Sequence, residues 1–154
     1  MRIEGTRFGD IEIDEDSKII ELDRGLLGFP WEQRFVLLAP APGKTVAWLQ
    51  SLDTPVLAFP VLDGDALGYP PAMVRGMARA AGLYGEDLAV LVIAAVRDKE
   101  LVANELAPIV IDMQSLRGAQ VLIGGQRYSA SRPVSMMPTW IPTGEVSQSL
   151  PAMM

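Results

Sequence analysis

Cysteine and histidine are both missing from this 154-residue chain, and each absence removes a class of chemistry. Without cysteine there is no disulfide framework, thiolate nucleophile or thiolate metal ligand. Without histidine there is no imidazole to move protons near neutral pH or to bind zinc. Lysine is scarce as well: Lys18, Lys44 and Lys99 are the full set, and none stands in a Ser-x-x-Lys arrangement that would activate a hydroxyl. No apolar run reaches the ~18 residues of a membrane span. The opening Met1-Arg2-Ile3-Glu4-Gly5-Thr6-Arg7 is of mixed charge where a signal peptide would be apolar. The sequence therefore reads as a soluble, cytoplasmic non-enzyme with no cofactor, no metal and no membrane partner.

A hydrophobic fraction of 49% supports a real core in one domain, since a chain of this size buries about 68–70% of the surface its unfolded form exposes. Charge is unevenly placed. Between residues 10 and 23, Asp10, Glu12, Asp14, Glu15, Asp16, Glu21 and Asp23 are opposed only by Lys18, a local net of −6 that equals the formal charge of the whole chain. That segment repels phosphate and argues against direct nucleic-acid binding, which needs a basic stripe with stacking aromatics. Arg117, Arg127 and Arg132 near Tyr128 are separated and read as solvated strand-end charges. The Asp14-Glu15-Asp16 cluster reads as a solvated turn suited to steering a basic partner. Two rival readings remain open: a small barrel that binds RNA directly, and a hydrolase built on two converging carboxylates.

The periodicity is that of an all-β protein, a small antiparallel barrel-like or two-sheet fold with one short helix. Strands are predicted at 2–8, 11–13, 18–22, 35–38, 46–50, 56–61, 89–96, 109–113 and 120–123. Ile11-Glu12-Ile13-Asp14 alternates as a half-solvated strand. Gly25 and Gly28 flank Leu26-Leu27 before Pro30, in a turn that side chains would hinder. The helix spans about Pro71 to Ala81, opened by proline and ended by Gly82, and is expected to cover the barrel's open end. Residues 1–134 make the β domain. From 135 to 154, three prolines, four methionines and the lone charge of Glu145 fit no regular element; such an apolar tail either docks or frays.

Ala103-Asn104-Glu105-Leu106-Ala107-Pro108 reads as a built corner before Ile109-Val110-Ile111. Pro108 has no N–H and fixes its φ, so it suits the start of a strand, and the β-branched residues favour extended backbone. A second strand in 116–123 would pair with it antiparallel. The Asn104 side chain is placed to mimic a backbone turn. Gln50 and Ser51 end an apolar strand before Asp53-Thr54-Pro55, where they suit bonding to the turn's backbone.

The corner also resembles the flagellar assembly factor FliW family, whose members carry an Ala-Asn-Leu-x-Ala-Pro-Ile stretch followed by a Gly-x-Gln strand. Similar blocks occur at Gly25-Leu26-Leu27-Gly28-Phe29, Phe35-Val36-Leu37-Leu38, Trp48-Leu49-Gln50-Ser51-Leu52, Pro55-Val56-Leu57-Ala58-Phe59 and Leu88 to Val96, in order over residues 1 to 134. The resemblance implies a protein that binds newly made flagellin and, once freed, binds the mRNA-binding regulator CsrA so that flagellin message is translated again. It marks Leu49-Gln50-Ser51 as a preserved feature. Taken with the polar corner and the acidic cluster, this leaves Gln50, Ser51, Asn104, Glu105, Pro108, Asp14, Glu15 and Asp16 as the candidate partner-binding residues. Three positions depart from the pattern: Glu105 stands where leucine is usual, Asp112 where asparagine is common, and Arg132 one place late, with Ser131 in the expected position. If the corner only packs, Glu105 should point to solvent; in either case Glu105→Leu should leave folding intact, and a changed affinity for either partner would place the corner in the interface.

Overall fold

The computed structural model describes residues 1–14, 18–40, 42, 46–124, 127–134 and 147–149. In chain order its elements are β1 (Arg2–Thr6), β2 (Gly9–Glu12), β3 (Ile19–Leu22), β4 (Arg34–Ala39), β5 (Ala47–Ser51), β6 (Ala58–Asp63), a 3-10 turn (Gly64–Leu67), α1 (Pro71–Ala80), β7 (Leu88–Arg97), β8 (Glu100–Ala103), β9 (Ile109–Asp112), β10 (Arg117–Gln120), β11 (Arg132–Pro133) and β12 (Ser147–Ser149).

Seven strands close into a barrel in the order β3-β4-β5-β6-β7-β9-β10, with β10 returning to β3. Every neighbouring pair in the ring is antiparallel except β3 and β10. The expected antiparallel barrel is present, and parity requires its one exception: directions that alternate around an odd number of strands must meet once in parallel. That parallel seam is short, joining only Arg117 to Glu21 and Gly118 to Leu22.

The barrel interior is filled by Ile20, Leu22, Phe35, Leu37, Leu49, Val61, Leu91, Ile109 and Ile111. The outward side chains of β4 and β9 are buried as well, which is why these strands read as unbroken apolar runs rather than alternations. The β1–β2 hairpin lays Ile3, Phe8, Ile11 and Ile13 over Val36 and Leu38. On the opposite wall Met77, Ala78 and Leu83 cover Val110. The helix thus lies against the barrel's wall and not across its open end, because Val110 supplies an outward apolar surface that matches the helix's Met77–Ala78 face. It begins at Pro71 and stops in a Schellman motif, with Gly82 at φ +82 and N–H bonds from Gly82 to Arg79 O at 3.0 Å and Leu83 to Ala78 O at 2.8 Å.

Three short strands were not legible in the sequence pattern. β8 follows β7 through a two-residue turn at Asp98 and Lys99, both with positive φ, although Lys99 stands where glycine usually completes such a turn. β11 pairs with β8, and β12 lies parallel to β4 at Leu37–Ala39, along the edge that β3 leaves beyond Val36. The rest of the tail, 135–146 and 150–154, lies outside the described residues.

Candidate functional site

Strand direction gathers the sequence-predicted residues. In the alternating ring, the C-terminal ends of β3, β5, β7 and β10 and the N-terminal ends of β4, β6 and β9 share one end of the barrel. Gln50 and Ser51 close β5 there, and Asn104, Glu105 and Pro108 occupy the connection into β9. Gln120 at the end of β10 ties the same region together: its Oε1 accepts from Leu27 N at 2.7 Å, and its Nε2 donates to Ala107 O at 3.0 Å.

Gln50 and Ser51 are fully buried and serve the backbone of the β5–β6 turn. Gln50 Nε2 donates to the carbonyls of Ser51 and Pro55, each at 2.8 Å, while its buried Oε1 accepts from no group among the described residues. Ser51 Oγ accepts the N–H groups of Asp53 at 3.1 Å and Thr54 at 2.9 Å, and donates to Glu32 Oε1 at 2.5 Å. Glu32, also fully buried, takes the Thr54 hydroxyl on its other oxygen at 2.8 Å. Asp53 then accepts Gln33 N at 2.7 Å and Arg34 N at 3.0 Å, so the 23–33 and 52–57 connections are stitched into one platform. Gly25 belongs to this platform: its φ is +65, and a Cβ would lie 2.5 Å from the carbonyl oxygens of both Phe29 and Pro30.

At the corner, Asn104 Oδ1 accepts Leu106 N at 3.1 Å, an Asx turn, and Pro108 is buried at the start of β9. Glu105 does not point to solvent. It is 1% exposed, and both carboxylate oxygens accept from Arg132 Nη1 at 3.3 Å. Ser129 N donates to Oε1 at 3.2 Å. Two of the three departures from the family pattern are therefore partners: an acid placed in an apolar position is met by the shifted arginine. Tyr69 closes the cluster, its hydroxyl donating to Glu105 O at 2.7 Å and its ring stacked on Tyr128 at 5.1 Å. Burial, then the Glu105 charge, pushes the Tyr69 hydroxyl well above its ordinary range. The third departure, Asp112, is buried near Gly85 and accepts Gln114 N at 3.0 Å.

Sequence reasoning missed Glu32, and also the exposed apolar side chains that this polar bracing holds up. Leu27, Trp31 and Val56 stand on the two stitched connections, and Leu122 lies just past β10; Trp31 is 67% exposed. The signal was present in Pro30-Trp31-Glu32, a tryptophan in a turn where apolar residues have no core to enter.

The acidic segment behaves differently. Asp14 is exposed just after β2, while Glu15 and Asp16 lie outside the described residues. Among the described residues, Asp10 pairs with Arg2 at 2.7 Å within the hairpin, and Asp23 pairs with the distant Arg117. The Gly5 N–H, then the Arg2 guanidinium, hold the Asp10 carboxyl below its ordinary value of 3.8. A depressed carboxyl stabilises the fold above its unfolded value and loses that contribution as pH falls through the folded one. Asp10→Asn should therefore cost stability in urea at pH 7, and that cost should shrink as pH falls below 3.8 through the folded value; a cost that does not change with pH would remove the carboxylate from the account.

Fold and site together define a closed β-barrel whose one end is a polar-braced platform carrying exposed apolar side chains. The family model for FliW protein matches residues 2–134, and the chain belongs to that family, the flagellar assembly factors. It is 35% identical over 138 residues to the flagellar assembly factor FliW of Geotalea uraniireducens, covering 86% of this chain and 83% of that protein. It is 37% identical over 133 residues to the same factor of Syntrophus aciditrophicus, covering 83% and 84%. A crystal structure of the flagellar assembly factor FliW superposes with a TM-score of 0.71 at 31% identity, covering 87% of this chain and 96% of that one. Among the described residues no helix is long and apolar enough to cross a membrane, and no three acids converge to hold a metal.

Proposed function

We propose that this protein is a cytoplasmic regulator of flagellin synthesis that works by partner exchange. It binds newly made flagellin; when flagellin is exported, the freed protein binds CsrA and relieves repression of the flagellin message. Coupling lies in two binding equilibria that exclude one another and needs no chemical step. Family membership over nearly the whole barrel carries this reading. It is supported by a platform in which buried Ser51 and Glu32 are consumed in holding loops while large apolar side chains are left outside. Exposed tryptophan on a rigid support is the kind of residue that anchors protein interfaces.

The test is capture of purified flagellin and purified CsrA, each alone and then in competition. Each should bind and each should displace the other; capture of neither refutes the assignment. Trp31→Ala should leave the thermal midpoint unchanged and weaken binding to at least one partner about tenfold, a modest hot-spot effect.

A further inference from the structure

A groove of about 520 Å³ runs along the outer face of β10, between the C-terminal end of α1 and Asp23–Arg24. Arg117, Ala119 and Val121 line its length, the small Ala119 giving it depth, and Tyr84 and Leu122 stand exposed beside it. This volume suits a few side chains of a ligand segment.

The groove lies beside an unfinished strand edge. Val121 N donates to Pro108 O at 2.9 Å and Ile123 N to Leu106 O at 2.8 Å, so the odd-numbered residues of this stretch spend their backbone groups on the β9 side. Alternation turns the N–H and C=O of Gln120 and Leu122 the other way. On that side β3 accompanies β10 only as far as Gly118, and among the described residues neither Gln120 nor Leu122 finds a backbone partner there. Unpaired edge groups beside an apolar groove are the arrangement to which extended peptides add as an extra strand.

Charge sets the kind of segment. Arg24 lines the groove with no acidic partner among the described residues, whereas Asp23 is engaged by Arg117, and Asp112 is buried and already accepts Gln114 N. Of the four charged residues that line the groove, Asp23 and Arg117 pair with each other and Asp112 is buried, so the exposed one left without a partner among the described residues is Arg24.

We propose that this groove binds an extended segment of a protein partner, added along the free edge of β10, with apolar side chains against Val121 and Leu122 and an acidic side chain toward Arg24. The inference rests on the protein-binding reading above and assigns it a surface. Its first test is independent of the partner: the full chain is titrated with a synthetic octapeptide of alternating valine and threonine led by aspartate, and amide hydrogen exchange is followed. Exchange at Gln120 and Leu122 should slow at least tenfold, and Arg24→Glu should weaken the effect about tenfold. No slowing at saturating peptide overturns the proposal. In the second test, Arg24→Glu and Leu122→Asp, both surface changes checked for unaltered melting, are compared with wild type for capture of flagellin and CsrA. Loss of capture supports the groove. Undiminished capture by both variants overturns it while the functional reading stands. Capture of neither protein by wild type refutes that reading, and the peptide titration then decides the groove alone.

Discussion

Glu105→Leu should lower the stability of this protein by about 2 kcal/mol, although leucine is the residue that the family pattern has at this position. Removing one member of a buried ion pair typically costs 3–5 kcal/mol because the other is left uncompensated. Here the survivor, Arg132, has a side chain 37% exposed and can recover part of its hydration, which places the cost near the lower figure. Arg132→Leu should be worse, about 3 kcal/mol, because the carboxylate it abandons is almost wholly enclosed. The double variant should recover most of the loss, since two apolar groups of matching size replace a pair that had to be desolvated together. Chemical denaturation of the four proteins measures this directly. Additive single-variant losses would mean that the two residues do not act as a pair. The expectation from sequence, that Glu105→Leu would leave folding intact, assumed an exposed carboxylate, and the structure removes that assumption.

Glu32→Ala should cost about 3 kcal/mol, as it deletes the acceptor of two hydroxyls and leaves a cavity beneath the platform. Ser51 keeps its two backbone donors, but Thr54 loses its side-chain partner, and the 52–57 connection is no longer tied to the 23–33 connection. Glu32→Gln should cost less than about 1 kcal/mol: its carbonyl can still accept one hydroxyl, and its amide can donate to the other. The contrast separates loss of hydrogen bonding from loss of charge. Amide exchange at Asp53 and Thr54 should accelerate in the alanine variant and stay near wild type in the glutamine variant. Equal losses in both would assign the stabilisation to the carboxylate's charge instead.

Both predictions concern residues whose roles are set by contacts distant in sequence. Glu32 and Ser51 are 19 positions apart and Glu105 and Arg132 are 27 apart, and no local pattern reports such separations. What was legible locally was legible for a local reason. Asn104 bonds Leu106 N two residues on, Gly82 ends the helix preceding it, and Gln50 and Ser51 bond the turn that follows them.

By itself the sequence determined the all-β class, the positions of most strands along the chain, the single helix, the corner before β9 and the family. Side-chain periodicity, proline and glycine constraints and missing residue types act within a few positions of the chain, so they survive in a one-dimensional reading. Tertiary structure alone decided that seven strands close with one parallel seam, that the helix lies on the wall, that Glu105 is buried against Arg132, and that β10, among the described residues, keeps a free edge beside a groove. Each of these depends on which strand ends meet in space and on what burial costs a charge or an unpaired backbone group there, and those quantities exist only once the ring has closed.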